Sequence, residues 1–499
     1  MALCKEGSKY YIVAVKLKPE IWQADKMNRM LEAGRCVYNA LLGKVLSRYN
    51  EMIKTKAYRD LYASLVHDDE KDADTWEKID ALCKKYRLTQ FDVINDVKPM
   101  QHHFKKLLHS QVCQKIASQV WSAIKSVMHK SSRKVHFKKY GTFNSLSGAE
   151  STKGIIFAND SVSFGRTLKM VIPVEYNRYN IKNVYYENCL FSNLDKIKYC
   201  QIVRKEIRGK YQYYIHIIIS GSKVSSRYKL GEGRVGIDIG TSTVAVSSDS
   251  DVFIKELAEK AQIYEKEKRE IQRKMDRSQR ATNTKKYNED GTFNKKNKDK
   301  WVRSNRYLKL RQKLRECYRK QRIYRELSHN ALTNHMLTLG DEFYVEKMNF
   351  ASLARRSKKK TKKCKNGKCA KKKRFGKSIC NRAPSKFLSI LERKLMYFDK
   401  ELHKINTSTC KASQFNHVTK EYEKKPLRQR WNNIAGNLVQ RDIYSAFLIS
   451  NVYKNMRSIN AKLCREKFDN FMRLHDDEIN QLKQEKLETG RKFLTSIGI

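Results

Sequence analysis

The stretch Arg234-Val235-Gly236-Ile237-Asp238-Ile239-Gly240-Thr241-Ser242-Thr243-Val244-Ala245-Val246 constrains the fold more than any other part of the chain. β-Branched residues recur in both halves, a Gly-Thr-Ser turn separates them, and the pattern predicts a hairpin of two buried strands. Asp238 stands mid-strand between Ile237 and Ile239. An ionised carboxylate in apolar surroundings is costly unless a charge partner or a metal compensates it. The plain alternative is a capped hairpin whose Asp faces solvent.

Two later stretches bear on that choice. Phe343-Tyr344-Val345-Glu346-Lys347-Met348-Asn349-Phe350 is a second apolar strand interrupted by one carboxylate. Gln440-Arg441-Asp442-Ile443-Tyr444-Ser445-Ala446-Phe447-Leu448-Ile449 begins a helix with Asp442 in its first turn, where the helix dipole favours an acid. Each acid alone has an ordinary structural explanation. Together they suit two-metal phosphodiester cleavage. Hard Mg²⁺ ions prefer carboxylate oxygens, and two ions about 4 Å apart activate the attacking water and stabilise the leaving oxygen. Three acids on one strand could not converge on such ions; acids from separated elements can.

The charge balance names the partner class. Lys and Arg number 105 against 52 Asp and Glu, a formal net charge of +53. That excess repels itself in a compact monomer and calls for a polyanion. The 27 Tyr, 19 Phe and 5 Trp interleaved with it favour nucleic acid over a membrane surface, because bases offer faces to stack on. No apolar run approaches the roughly 18 residues that span a bilayer. The first residues form no apolar signal region, so secretion is not expected. The twelve scattered cysteines are expected to be reduced thiols, and five prolines leave room for long helices.

Residues 10–18 read as a strand stopped by Pro19, and 20 to about 130 as helical, with Met27, Leu31, Tyr38, Leu41, Val45 and Tyr49 near a 3.6-residue period. A second helical block covers 111–129, and the acidic run Asp68–Asp72 marks a helix boundary. After Ser131 the period shifts to two, with strands expected at 154–158, 161–165, 167–174, 200–207 and 211–219, the last two joined at Arg208-Gly209-Lys210. The strand at 10–18 is expected to join that later sheet. Arg133, Lys134, Phe137, Lys138 and Tyr140 alternate basic and aromatic character, suited either to phosphate contact with base stacking or to an ordinary exposed strand. A charged helical segment is expected at 253–340, with a polar interruption at 288–297 and an Arg/Lys bias that suits nucleic acid. Residues 355–374 hold thirteen Lys or Arg and no acid, among them Arg355, Arg356, Lys372, Lys373 and Arg374. Such a block cannot form a core.

Val-Gly-Ile-Asp-Ile-Gly-Thr, Val-Glu-Lys-Met-Asn-Phe and Gln-Arg-Asp-Ile-Tyr-Ser-Ala-Phe resemble, in order, the three RuvC motifs of TnpB transposon nucleases and the compact type V CRISPR effectors descended from them. Lys372–Ser378 and Lys411–His417 resemble stretches of one TnpB-like branch. The specific similarity covers about 230–450; over 1–230 only the layout matches. The resemblance implies a multidomain α+β chain: an RNase H-like (RuvC) nuclease domain at 229–350 and 384–452 with a helical insert, and a β-barrel-like wedge domain at 1–19 and 131–228. A helical recognition insertion at 20–130, a basic target-binding segment at 351–383 and a helical tail at 453–499 complete it. It carries Asp238, Glu346 and Asp442 over as the Mg²⁺-binding catalytic acids. Arg428 and Arg430, in Pro426–Trp431, become phosphate contacts near the scissile strand.

Many members of that family hold zinc on two Cys-x-x-Cys pairs between the second and third motifs. Here Cys364, Cys369, Cys380, Cys410 and His417 offer no such knuckle, so no zinc is expected. The expectation is therefore a Mg²⁺-dependent RNA-guided DNA endonuclease with two metal ions, a structured guide RNA and double-stranded target DNA read beside a short flanking motif. It would act as monomer or homodimer, without a membrane, in a prokaryotic cytoplasm at the nucleoid. A guided DNA-binding regulator without cleavage, and a guide-independent transposase or resolvase, are the alternatives.

Overall fold

The structure is a computed structural model that describes residues 10–65, 72–129, 131–164, 170–175, 196–221, 229–355, 375–426 and 428–499. The acidic run before Asp72, Arg356, Lys372, Lys373, Arg374, Cys364 and Cys369 lie outside the described residues. The chain divides into two compact units, Met1–Val224 and Ser225–Ile499.

The first unit opens with β1 (Tyr10–Lys16), followed by helices α1 (Ile21–Lys54), α2 (Lys56–Ser64), α3 (Ala73–Lys85), α4 (Gln90–Asp96), α5 (Lys98–His103) and α6 (Ser110–Met128). Strands β2 (Ser145–Ser147), β3 (Ile156–Ala158), β4 (Ser161–Ser163), β5 (Val171–Pro173), β6 (Ile197–Ile207) and β7 (Lys210–Ser220) come after them. β1 pairs antiparallel with β7 from Tyr10↔Ser220 to Lys16↔Tyr214, so the helices lie, in the chain, between two strands of one sheet. That sheet runs β1-β7-β6-β2, and β3-β4-β5 form a separate one. α1 buries Met27, Met30, Leu31, Val37, Tyr38, Leu41, Leu42 and Val45 along one stripe, and a capping box between Glu20 and Gln23 starts it. Arg208 and Gly209, both at positive φ, close the β6–β7 hairpin where the alternation predicted it.

Residues 133–140, read as either a nucleic-acid contact or an ordinary exposed strand, form no strand. The Asn39 side chain of α1 takes the place of a neighbouring strand: it accepts from the Lys138 N–H at 2.8 Å and donates to the Lys138 carbonyl at 2.9 Å.

The second unit is built on one sheet. Its strands are β8 (Arg234–Ile239), β9 (Thr243–Ser247), β10 (Val252–Glu256), β11 (Glu342–Glu346) and β12 (Leu402–Ile405), ordered β10-β9-β8-β11-β12. In order of appearance this is 3-2-1-4-5, with β8, β9 and β10 antiparallel and β8, β11 and β12 parallel. Residues 253–256, expected as the start of the helical segment, belong instead to the third strand of the extended hairpin, Val252–Glu256. Then come α7 (Ile263–Thr282), α8 (Asn305–Leu337), α9 (Phe350–Ala354), α10 (Gly376–Arg382), α11 (Pro384–Met396) and α12 (Thr407–Cys410). A two-stranded ribbon of β13 (Trp431–Ile434) and β14 (Asn437–Gln440) leads into α13 (Arg441–Ser450), α14 (Ala461–Thr489) and α15 (Lys492–Ser496).

Strand alternation divides the core between the two faces of this sheet. Val235, Ile237 and Ile239 of β8 pack with Met336 and Leu337 of α8 and Phe387, Leu391 and Leu395 of α11. The other face packs Ala245, Ile254 and Tyr344 against Tyr444, Phe447 and Leu448 of α13 and Phe468, Phe471 and Ile479 of α14. Residues 453–499 are therefore core as much as tail: Leu494, Ile497 and Ile499 are buried in the same cluster. Among the described residues no helix is long and apolar enough to cross a membrane.

Candidate active site

Three constraints bring the acids together. Asp238 sits opposite Ala245 in the β8–β9 register, so it faces the side covered by α13 and α14. β11 runs parallel to β8 with Val345 level with Ile237, which puts Glu346 level with Asp238 at the C-terminal edge of both strands. Tyr344, two residues before Glu346, belongs to the α13-side core, so Glu346 shares that face.

Gly236 sets the third acid. A Cβ there would lie 2.5 Å from Ser450 N and closer still to the Ala446 carbonyl, so α13 crosses β8 almost backbone to backbone. Arg234 holds the far end of the crossing, donating to the Val452 carbonyl at 2.9 Å and to the Tyr344 hydroxyl at 3.1 Å while pairing with Glu342 at 3.2 Å. A cation there also suits the C-terminal end of the α13 dipole. From Gly236, two residues along the strand lead to Asp238; from Ala446, one turn back along the helix leads to Asp442.

All three carboxylates are half-buried. Burial, then the neighbouring charges of Asp442 and Glu346, push the Asp238 carboxyl well above its ordinary range, with Arg441 pulling the other way. Burial raises Glu346 as well. The acids are thus close enough to repel, yet among the described residues no three His, Cys, Asp or Glu side chains stand gathered as a ready ligand set. They are neighbours at one strand edge, all hard oxygen donors on separate elements, and such a set fits Mg²⁺ better than any softer ion.

Gln440, fully buried, caps α13 by accepting from the N–H groups of Asp442 (2.7 Å) and Ile443 (2.9 Å). Its own N–H donates to His475 Nε2 at 3.0 Å, and its side-chain amide to the Ile497 carbonyl at 3.2 Å. The imidazole is thereby held neutral, with Nδ1 donating to Asp476 at 2.8 Å, and burial lowers its pKa. Nothing in the sequence around Gln440 pointed to His475, because 35 residues separate them.

Of the basic residues singled out in the sequence, Arg430 reaches the site: Nη1 lies 3.6 Å from Asp442 Oδ2, because the Arg441 N–H donates to the Arg430 carbonyl and extends the β13–β14 ladder. Arg441, which the sequence did not single out, has a buried Nε with no hydrogen-bond partner among the described residues. Arg428 is exposed in the turn before β13. Arg355 is exposed just beyond α9, which follows the Glu346 strand. Past the basic block, the Ser378 hydroxyl of α10 donates to the Thr241 carbonyl in the β8–β9 turn at 3.1 Å. Arg133, Lys134, Phe137, Lys138 and Tyr140 belong to the first unit and are exposed there, Phe137 at 55% and Tyr140 at 82%. Cys380 is exposed and Cys410 buried, both as free thiols; His417 is buried against the Tyr444 hydroxyl at 2.8 Å.

No protein-family model and no curated protein matches the chain. Among solved structures it is similar to a cryo-EM structure of a Cas12f1–sgRNA–target DNA complex, at 11% identity and a TM-score of 0.43, over 89% of this chain and 99% of that one. It is also similar to a cryo-EM structure of a CRISPR–Cas12f ternary complex, at 13% identity and a TM-score of 0.27, over 86% and 82% of the two chains. Both likenesses are weak in sequence and in superposition.

Proposed function

We propose that this chain is an RNA-guided DNA endonuclease of the TnpB-like and compact type V kind, with an RNase H-like RuvC site that cleaves phosphodiester bonds. The observation that supports the reading is the placement of Glu346 level with Asp238 on adjacent strands of a 3-2-1-4-5 sheet, with Asp442 in the first turn of the helix that crosses β8 at Gly236. Asp238, Glu346 and Asp442 would hold Mg²⁺, which supplies an activated water and neutralises charge on the leaving oxygen. The chain's own part is positional. Gln440 fixes the first turn of α13 and hence Asp442, and Arg234 fixes where the helix crosses the strand. The guanidinium groups of Arg430, beside Asp442, and Arg441, whose charge acts on Asp238, would offer donors to a scissile phosphate.

The partners follow from charge: +53 demands a resident polyanion, read here as guide RNA, with double-stranded DNA as target. Base pairing would supply sequence specificity and the protein would read duplex shape and a short flanking motif. The first unit, with its helices between strands of one sheet, is the proposed wedge and recognition part.

Replacing Asp238, Glu346 or Asp442 by Ala should abolish guided cleavage while RNA affinity stays within about twofold, measured on the protein with its co-purified RNA. Wild-type cleavage by Asp238→Ala would remove the metal-site assignment. Sequencing the co-purified RNA separates the alternatives: a discrete structured species supports guidance, and its absence favours a guide-independent recombinase.

A further inference from the structure

We propose that residues 283–304, joining α7 to α8, form a stacking platform for an unpaired stretch of the RNA this protein carries. The inference rests on the RNA-guided reading and adds a site to it.

The segment is built as a small structure of its own. Asn283 anchors both ends, its side chain accepting from the Val302 N–H and donating to the Val302 carbonyl, each at 2.9 Å. Asn288 and Thr292 close a turn at Gly291, and Asp290 braces it by accepting from the Thr292 N–H at 2.8 Å and its hydroxyl at 2.6 Å. Tyr287 and Phe293 face each other across a single β-bridge. Ordering this many residues costs chain entropy, which a plain connector has no reason to incur.

That scaffold presents rings. Phe293 and Trp301 stack at 5.8 Å between centroids with 16° between planes, and Tyr287 meets both edge-on. Lys286 lies over Trp301 at 4.9 Å and Arg280 over Tyr287 at 4.6 Å. Rings serving only as a local core would be covered, yet Phe293 is 47% exposed and Trp301 39%. Around them Lys285, Lys295, Lys296, Lys298 and Lys300 are exposed and form no ion pair among the described residues. The nearby acids are occupied in part: Asp290 in the turn, Asp299 accepting from Asn297. Exposed parallel rings within a lysine fringe suit bases and phosphates together. RNA is the occupant favoured, since the positive charge of this chain needs neutralising before any DNA target is met.

The test uses full-length protein with its RNA. Ultraviolet cross-linking followed by mass spectrometry should place RNA adducts on the 283–304 peptides. Binding of a labelled oligouridine and its DNA counterpart is then measured at about 0.5 M salt, where phosphate contacts are screened and stacking persists. Phe293→Ala with Trp301→Ala should lose roughly tenfold to a hundredfold in RNA affinity, while Phe293→Tyr with Trp301→Phe keeps it within about threefold. An unchanged melting temperature shows that the variants fold. Wild-type RNA affinity in the double alanine variant, adducts confined elsewhere, or preference of the platform for the DNA oligomer would each overturn the proposal. Absence of RNA binding by the wild-type protein would overturn the parent reading instead.

Discussion

Gly236→Ala offers a direct test of how the site is assembled. The added Cβ would sit 2.5 Å from Ser450 N, 3.0 Å from Ser450 Cα and nearer still to the Ala446 carbonyl, all backbone atoms that no rotamer change can move. Ordinary contact begins at 3.4 Å, so α13 must retreat from β8 by about 1 Å or more in a core packed to crystal-like density. Overpacking of this kind costs roughly 1–3 kcal/mol. The kinetic effect should be larger in proportion. Asp442 rides on α13 while Asp238 stays on β8, and a misplacement of about 1 Å typically costs around 100-fold in rate. The assay is single-turnover cleavage of a guided target, normalised to folded protein, beside a thermal melt. Gly231→Ala is the control. Its Cβ would meet the Thr338 carbonyl carbon at 2.7 Å and Gly340 N at 2.8 Å, a comparable clash near the opposite end of the strands. It should lose similar stability yet cleave within about threefold of wild type. If folded Gly236→Ala cleaves at the wild-type rate, or Gly231→Ala is equally impaired in catalysis, close helix crossing does not place Asp442.

Three further outcomes follow from charges and hydrogen bonds. The Asp238 pKa is raised in the folded chain, so the proton it holds stabilises the fold at acid pH, and that stability is lost as pH rises through the folded value. Asp238→Asn should therefore melt above wild type in metal-free buffer at neutral pH, by a margin that vanishes toward pH 4, and adding Mg²⁺ should raise the melting temperature of wild type only. His475→Ala strands the buried Gln440 N–H at a cost of about 1–3 kcal/mol, and should slow cleavage through Asp442 while leaving RNA affinity intact; melting and cleavage together check it. In the first unit, burial alone would raise Asp96, but hydrogen bonds from Arg48 and Lys44 hold it below the usual carboxylate range, so its contribution is present at neutral pH and lost as pH falls through that lowered value. Asp96→Asn should cost about 3 kcal/mol, the low end for a broken buried pair since Lys44 is half exposed, and flatten the acid limb of the melting curve.

The hairpin, the Glu346 strand and the Asp442 helix were legible because each is a local pattern: alternation, turn chemistry, an acid in a first helical turn. What escaped was non-local. Val252–Glu256 is short and ends in Lys255 and Glu256, so its pairing with β9 left no mark distinct from the charged run beyond it. Around Phe137 two readings stayed open, and neither could be told from the sequence because the segment is held by a side chain 99 residues away, Asn39 of α1, rather than by a neighbouring strand. Charge hid the core role of α14: its buried Phe468, Phe471, His475, Ile479 and Leu482 form a narrow stripe on an otherwise polar helix.

That stripe matters for the site as well as for the fold. While Gln440 caps α13, His475 accepts its N–H and the Ile497 carbonyl accepts its side-chain amide, and Trp431 on the neighbouring strand donates to the Gly498 carbonyl at 2.9 Å. The first acid lies at residue 238 and the contacts that steady the third come from the last residues of the chain. The three carboxylates are therefore a property of the finished second unit. Until α14 and α15 have docked, the first turn of α13 lacks the partners that orient Asp442, and Asp238 and Glu346 stand on β8 and β11 without it.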